Sequence, residues 1–430
     1  MKKTLISVVF ILLMLFSLAA CGGNNSSDEN NESNSGNATD PGTQTTVGSI
    51  ELEAFLIKVQ ALPVMEEIAS RFTEENPEIT VRFVATPDAE TALFARIAAN
   101  DIPDIMNTYP AEVVYRTMMD EGLFVDLTGH AMLDNVFEST LALSEYNGKQ
   151  FAFPAAMSAW GVFYRKDIFA NHDLAIPTTY AEFIALAEAL ADTDITPIVF
   201  PDKSANVVGQ MGERHIAIIN NDSHGLFRRV ADGEISLDSL PDVRVLGESL
   251  VQIREYGQRD QLGTDQDQAI SDFITGRAAM FIGGTWNVTP MLEVDKDLDF
   301  AMFPFPNPLT DHTTLPVNID TSYSVYAGSP NVDAAMKFLE FLARPDIAQM
   351  YADFEGSPPT IKSVVYNNEQ LAPIADVINT GEIFLTPINF WPPGMRANWE
   401  QHLQQLFIDK NIDNFIQATE NMVIEFYNNN

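Results

Sequence analysis

From residue 50 onward the apolar positions of this chain switch period repeatedly. Ile50, Leu52, Ala54 and Leu56 alternate with other residues, the period-two pattern of a strand over 50–59. From Pro63, the residues Val64, Ile68 and Phe72 fall four apart on one helical face, and Asn76-Pro77 ends that helix. Ile79, Val81 and Phe83 give a second strand. Residues 91–100 give a short helix with Leu93, Phe94 and Ile97 inward, and Ile102–Met106 a third, buried strand. Such alternation predicts a doubly wound, parallel α/β sheet.

The pattern continues with helices over 111–121, 177–190, 206–220, 243–257 and 265–275. Strands are expected over 196–200, 278–282, 300–303 and 321–327, and Val332–Ala343 is an amphipathic helix that Pro345 should stop. The C-terminus is mostly helical. Between the first strands and this second series lies Tyr146–Phe169. Its polar turn (Asn147-Gly148-Lys149) leads to Phe151–Phe153, and Pro154 should end the sheet, since proline lacks a backbone donor. Gly161-Val162-Phe163-Tyr164 then reads as another buried strand. These residues alone fit a loop within one sheet as well as a passage between two lobes. Further breaks at Pro304–Pro308 and Gly356–Pro359 supply the extra crossings that two lobes need. The expected division is 50–154 plus 304–350 for the first lobe, and 157–303 plus 355–430 for the second.

The first 49 residues change the picture. Lys2 and Lys3 precede an apolar run from Leu5 to Phe16, and small residues follow, the layout of a secretory signal over 1–20. That run is too short for a membrane span. Cys21 is the one cysteine of the chain, so an internal disulfide is impossible. Residues 21–49 are polar and low in complexity, and a flexible tether is expected there. The net charge of −36 argues against nucleic acid or an anionic membrane surface as partner. It suits a surface kept soluble in salty or alkaline surroundings.

Catalytic signatures are sparse. The sequence has no nucleophile elbow, phosphate loop or zinc helix, and its histidines lack metal-ligand spacing. No cofactor or metal is expected. With 60 acidic residues, a carboxylate pair for glycoside hydrolysis is open at this stage, because sequence gives no separations. Aromatic placement is more informative. Trp160, Trp286, Trp391 and Trp399 all fall near breaks, and an aromatic face against a pyranose with amides and carboxylates at its hydroxyls makes a sugar site. Core packing is an even alternative for each tryptophan. In a doubly wound sheet ligands sit at the carboxyl ends of strands, here Lys58-Val59-Gln60, Pro87-Asp88 and Asn107-Thr108-Tyr109. Two glycines, Gly283 and Gly284, admit a close approach beside Trp286.

Several motifs in order resemble those of the type 1 extracellular solute-binding proteins, the sugar-binding lipoproteins of bacterial ABC importers. They are Ile102-Pro103-Asp104-Ile105, Gly122–Thr128, Tyr146-Asn147-Gly148 through Pro154, and Tyr164–Phe169. Later come Phe273 with Gly276–Met280, Gly284 with Trp286, and Ala335–Pro345. The resemblance implies a two-lobed, type II periplasmic-binding-protein-like fold, each lobe a mainly parallel sheet flanked by helices, with the ligand cleft at the hinge. It implies that Trp286 stacks on sugar, with Trp399 or Trp391 as another contact, and that Tyr109 contacts sugar. Asn107, Trp160, Asp320, Tyr323 and Gln60 complete the expected ligand-binding set. The tryptophan usual near the end of the family's first strand is absent; Phe55 stands nearby. Leu18–Cys21 resembles a lipobox, which implies lipidation of Cys21 and anchoring on the outer face of the cell membrane. The expected function is hinge-closing capture of a carbohydrate, a di- or oligosaccharide, by a monomer that docks on importer permease subunits. A non-sugar solute, a secreted glycoside hydrolase and a sensor subunit are the other readings.

Overall fold

The structure, a computed structural model, describes residues 49–86, 88–366, 368–380 and 383–429. The expected signal, the expected anchor at Cys21, the expected tether up to residue 48 and the strand-end residue Pro87 lie outside the described residues. Among the described residues nine strands form the sheet framework: β1 (Ile50–Leu56), β2 (Ile79–Ala85), β3 (Ile105–Thr108), β4 (Phe153–Arg165), β5 (Thr196–Val199), β6 (Ala278–Gly284), β7 (Phe300–Phe303), β8 (Leu315–Val325) and β9 (Ile383–Leu385).

The strand order is β2-β1-β3-β8-β4-β6-β5, with β7 on β4 and β9 on β8. In the first lobe β1 pairs parallel with β2 and β3, and β8 is inserted antiparallel between β3 and the first half of β4. In the second, β5 and β6 are parallel, and β4 runs against both β6 and β7. Each lobe therefore holds strands of one direction with a single reversed member. In each case that member is a long strand shared between the lobes.

Pro154 does not end the sheet. It lies inside the 13-residue β4, which pairs with β8 over 153–159 and with β6 and β7 over 160–165. The strand survives because the pairing slips between Pro154 and Ala156, and again between Ala156 and Met157. A bulge of this kind excuses the missing donor. Thr360 donates its hydroxyl to the Pro154 carbonyl at 2.7 Å, and Met157 N–H donates to Pro358 O at 3.2 Å. The break at 356–359 thus lies alongside the β4 passage. The prolines at 304–308 do not cross between lobes: Phe305 is buried in the second core, and Asn307 donates to Ile218 O at 2.6 Å. β8 makes that crossing instead.

Two cores result. In the first, Leu52, Ile68 and Phe72 meet Tyr323 and Phe338, with Phe72 edge-on to Phe338 at 5.1 Å. In the second, Val162, Phe183 and Phe227 pack with Trp391 and Trp399. Pro345 stops one helix, as its missing N–H dictates, and also opens the next, Pro345–Glu355, where that N–H would be unpaired anyway. Thr179 and Glu182 form a capping box at the helix Tyr180–Ala191.

Candidate functional site

Where the two lobes approach, both present polar and charged groups. On the first lobe, β1 ends and Lys58 turns its ammonium between the carboxylates of Asp320, on β8, and Glu355, at the end of Pro345–Glu355. These two carboxylates hold the Lys58 pKa well above its usual value against a burial that lowers it. Burial pushes the Glu355 carboxyl up, and Lys58 opposes that. Tyr109, just past β3, is half-buried beside this cluster. Burial, then the Asp320 charge, raise its phenol well above the ordinary range. One turn on, Glu112 is pushed up to about 8 by burial first, then by Glu90; Glu213 adds to the rise and Arg396 opposes it. At neutral pH Glu112 is thus mostly protonated and can donate a hydrogen bond.

Glu213 and Arg396 belong to the second lobe, so Glu112 feels charge from across the junction. Glu213 and Arg214 pair on the helix Ala205–Ile219. Burial is the chief cause of Glu213's raised pKa and of Arg214's lowered one. Arg396 donates to Glu400 at 3.0 Å and also pairs with the Asn206 side chain. The Arg214 guanidinium lies 5.3 Å from the centre of the Trp286 ring, and Asp320 of the first lobe acts on it.

Trp286 is half-buried and follows β6 directly. A Cβ on Gly284 would strike its ring, so the group admitted by that glycine is the Trp286 indole itself, folded over the strand end. Asn287 fixes the turn by donating to Gly284 O at 2.9 Å. The free space beside Trp160, Trp286 and Asn287 is about 10 Å³, room for about one water. A cavity of about 490 Å³ lies behind the junction, between the helix Val288–Val294 and residues 352–370; it contains none of the candidate ligand residues.

The other expected contacts fall elsewhere. Trp399 is fully buried: its Nε1 donates to Gly209 O at 3.1 Å and its ring stands 5.4 Å from Trp391. Gly209 and Gly212 lack side chains where a Cβ would meet Glu400 and Leu403, so the helix Met395–Asp409 packs close. Trp391 and Trp399 are core residues here, because two helices and an aromatic cluster close over them. Trp160 is also buried, 5.9 Å from Phe305 and 6.4 Å from His215. Burial lowers the His215 pKa to about 3, so it is neutral. Tyr323 is buried in the first core. Asn107 is buried and structural: Oδ1 accepts from Ile57 and Lys58 N–H at 3.2 and 3.1 Å, and Nδ2 donates to Ser322 O. Gln60 is exposed.

The structure thus brings together Trp286, Tyr109 and Asp320 near the junction, and adds Lys58, Glu112, Arg214, Arg396 and Glu355. Only the strand-end position of Lys58 signalled its role in the sequence. The rest sit on, or at the start of, four helices distant from one another along the chain. Among the described residues no group of three metal-ligating side chains is present.

The model of a family described as bacterial extracellular solute-binding protein matches residues 67–376. The multiple sugar-binding protein of Streptococcus mutans is 23% identical over 355 residues, covering 81% of this chain and 84% of that protein. The melibiose/raffinose/stachyose-binding protein MelE of Bacillus subtilis is 22% identical over 375 residues, covering 85% and 82%. Among solved structures, RafE in complex with raffinose aligns with a TM-score of 0.78 at 23% identity, over 88% of this chain and 100% of that one. The apo form of RafE from Streptococcus pneumoniae gives 0.76 at 22%, over 88% and 98%.

Proposed function

The chain belongs to the bacterial extracellular solute-binding proteins, and on that premise we propose that it captures a di- or oligosaccharide between its lobes and hands it to an ABC importer. One observation carries the sugar reading. A half-buried indole, Trp286, stands at a junction where both lobes supply hydrogen-bonding groups. An apolar face suits a pyranose ring, and Asp320, Arg214 and protonated Glu112 suit its hydroxyls. The named sugars of its relatives support the same reading. The lobes, 50–154 with the β8 region and 157–303 with the C-terminal helices, would rock about β4, β8 and the 356–362 segment. Sugar touching both lobes favours the closed state, because a ligand shifts populations by its differential affinity.

The test is a thermal-shift panel of raffinose, stachyose, melibiose, maltotriose and diacetylchitobiose. A sugar at 100 times its Kd adds ~2.7 kcal/mol, a shift of a few degrees. If every saccharide leaves the melting temperature unchanged while an amine or osmolyte raises it, the sugar reading is overturned. The anchor is the second part of the proposal: lipid on Cys21 would hold the protein outside the membrane, with residues 22–48 as tether. Absence of label on the protein after growth of the source cells with radioactive palmitate would remove it.

A further inference from the structure

At one edge of the junction a cation of the first lobe meets aromatic rings from both lobes. Arg116 lies on the helix Val113–Asp120, whose Tyr115 and Met119 are buried in the first lobe. Its guanidinium carbon is 5.5 Å from the ring centre of Tyr146, in the same lobe, and 4.9 Å from that of Phe390. Phe390 closes the short helix Pro387–Phe390, whose Ile388 packs on the second core. Behind Phe390 the His224 ring is stacked at 4.4 Å and 26°. Tyr427 and Nδ1 of His224 share a hydrogen bond of 3.3 Å. Phe390 is therefore held from behind while Arg116 covers its front.

Arg116 differs from the other cations of the junction. Lys58, Arg214 and Arg396 each have a carboxylate partner. Among the described residues Arg116 has no ion pair, and its Nε is buried without a hydrogen bond. Removing a guanidinium from water without a counter-charge costs free energy, and burial lowers its pKa accordingly. The aromatic faces are what this geometry offers in return, and the Phe390 face is available only while the lobes are together.

We propose that Arg116 and Phe390 form a cation–π clasp across the lobes, and that both are positioning residues for ligand capture. The clasp rests on the hinge-closure reading, and requires nothing about which solute binds. It stabilises the closed arrangement without touching the ligand, so it sets the closed fraction of the free protein. Ligand affinity follows that fraction, because apparent Kd scales inversely with the population able to bind.

The experiment compares wild type, R116A, R116K, F390A, F390L and the R116A/F390A double variant. Small-angle scattering of the free proteins reads closure, and calorimetric titration with raffinose, or with whichever saccharide the panel identifies, reads affinity. Each alanine variant should enlarge the free protein's radius of gyration and weaken binding roughly threefold to thirtyfold. The double variant should be no worse than either single one. R116K, which keeps the charge, should fall between wild type and R116A. F390L guards against a folding defect: it keeps the apolar bulk and should match F390A in closure while unfolding cooperatively near wild type. Unchanged scattering in all variants, or single effects that add independently, overturns the clasp. If no saccharide binds, the scattering of the free proteins still decides it, so failure of the sugar reading is distinguishable.

Discussion

Trp286 and Trp399 show how the same residue type divides between a half-buried strand end and the core. Both fall near predicted breaks, but Trp286 is left half-buried by the strand-end turn that Gly284 permits, whereas Trp399 is enclosed between helices. Substitution separates the two roles. Trp399→Ala leaves a cavity and removes the indole hydrogen bond to Gly209 O, and should cost about 3–5 kcal/mol in urea unfolding. Trp286→Ala should change stability by less than ~2 kcal/mol and abolish measurable sugar binding by calorimetry. The opposite ranking would mean that Trp286 is structural. Sequence could single out the tryptophans; it could not say that Gly209 and Gly212 draw one of them inside.

At the level of the element, β4 departs most from its sequence pattern. A proline near the start of an apolar run argues for a break, yet the chain holds a single strand by bulging and by borrowing hydrogen bonds from residues 358 and 360. Gly161 explains why three strands can meet on its second half. A Cβ there would come 2.5 Å from the Phe303 carbonyl oxygen, so β7 approaches only a residue without a side chain. Gly161→Ala should push β7 from β4 and cost about 1–3 kcal/mol, read as a lower urea midpoint. A midpoint equal to wild type would show that β7 shifts freely.

For the whole molecule the decisive property is how the lobes meet. Glu112 carries charge coupling from one lobe to the other, and its pKa of about 8 lies above the ordinary carboxyl value of 4.5. The folded protein therefore holds this proton more tightly than the unfolded chain does. Its contribution is fully present below about pH 4.5 and is lost as pH rises through about 8. Between pH 6 and pH 9 the wild type should lose a few kcal/mol more stability than Glu112→Gln, which keeps a neutral donor. Parallel melting curves across that range would show Glu112 to be uncoupled from folding. The charge of −36 sets a background of self-repulsion that salt screens, so both proteins are to be compared at one ionic strength.

The sequence by itself determined what depends on local periodicity and on residue chemistry. The first two strands and their helices, the helix after Pro177 and the apolar β6 followed by Trp286 all follow from patterns within a few residues, whereas the third strand, Ile105–Thr108, starts three residues later than expected. So does the two-lobed class, through motifs that keep their order along the chain. Tertiary structure decided whatever depends on distant segments meeting. It made β8, not the proline-rich 304–308, the second crossing. It buried Trp160, Trp391, Trp399 and Tyr323 and turned Asn107 into a strut. It also assembled a charged junction from Lys58, Glu112, Arg214, Asp320, Glu355 and Arg396. The physical reason is that burial and pairing depend on which surfaces the folded backbone brings together. Periodicity reports only which face of each element is apolar.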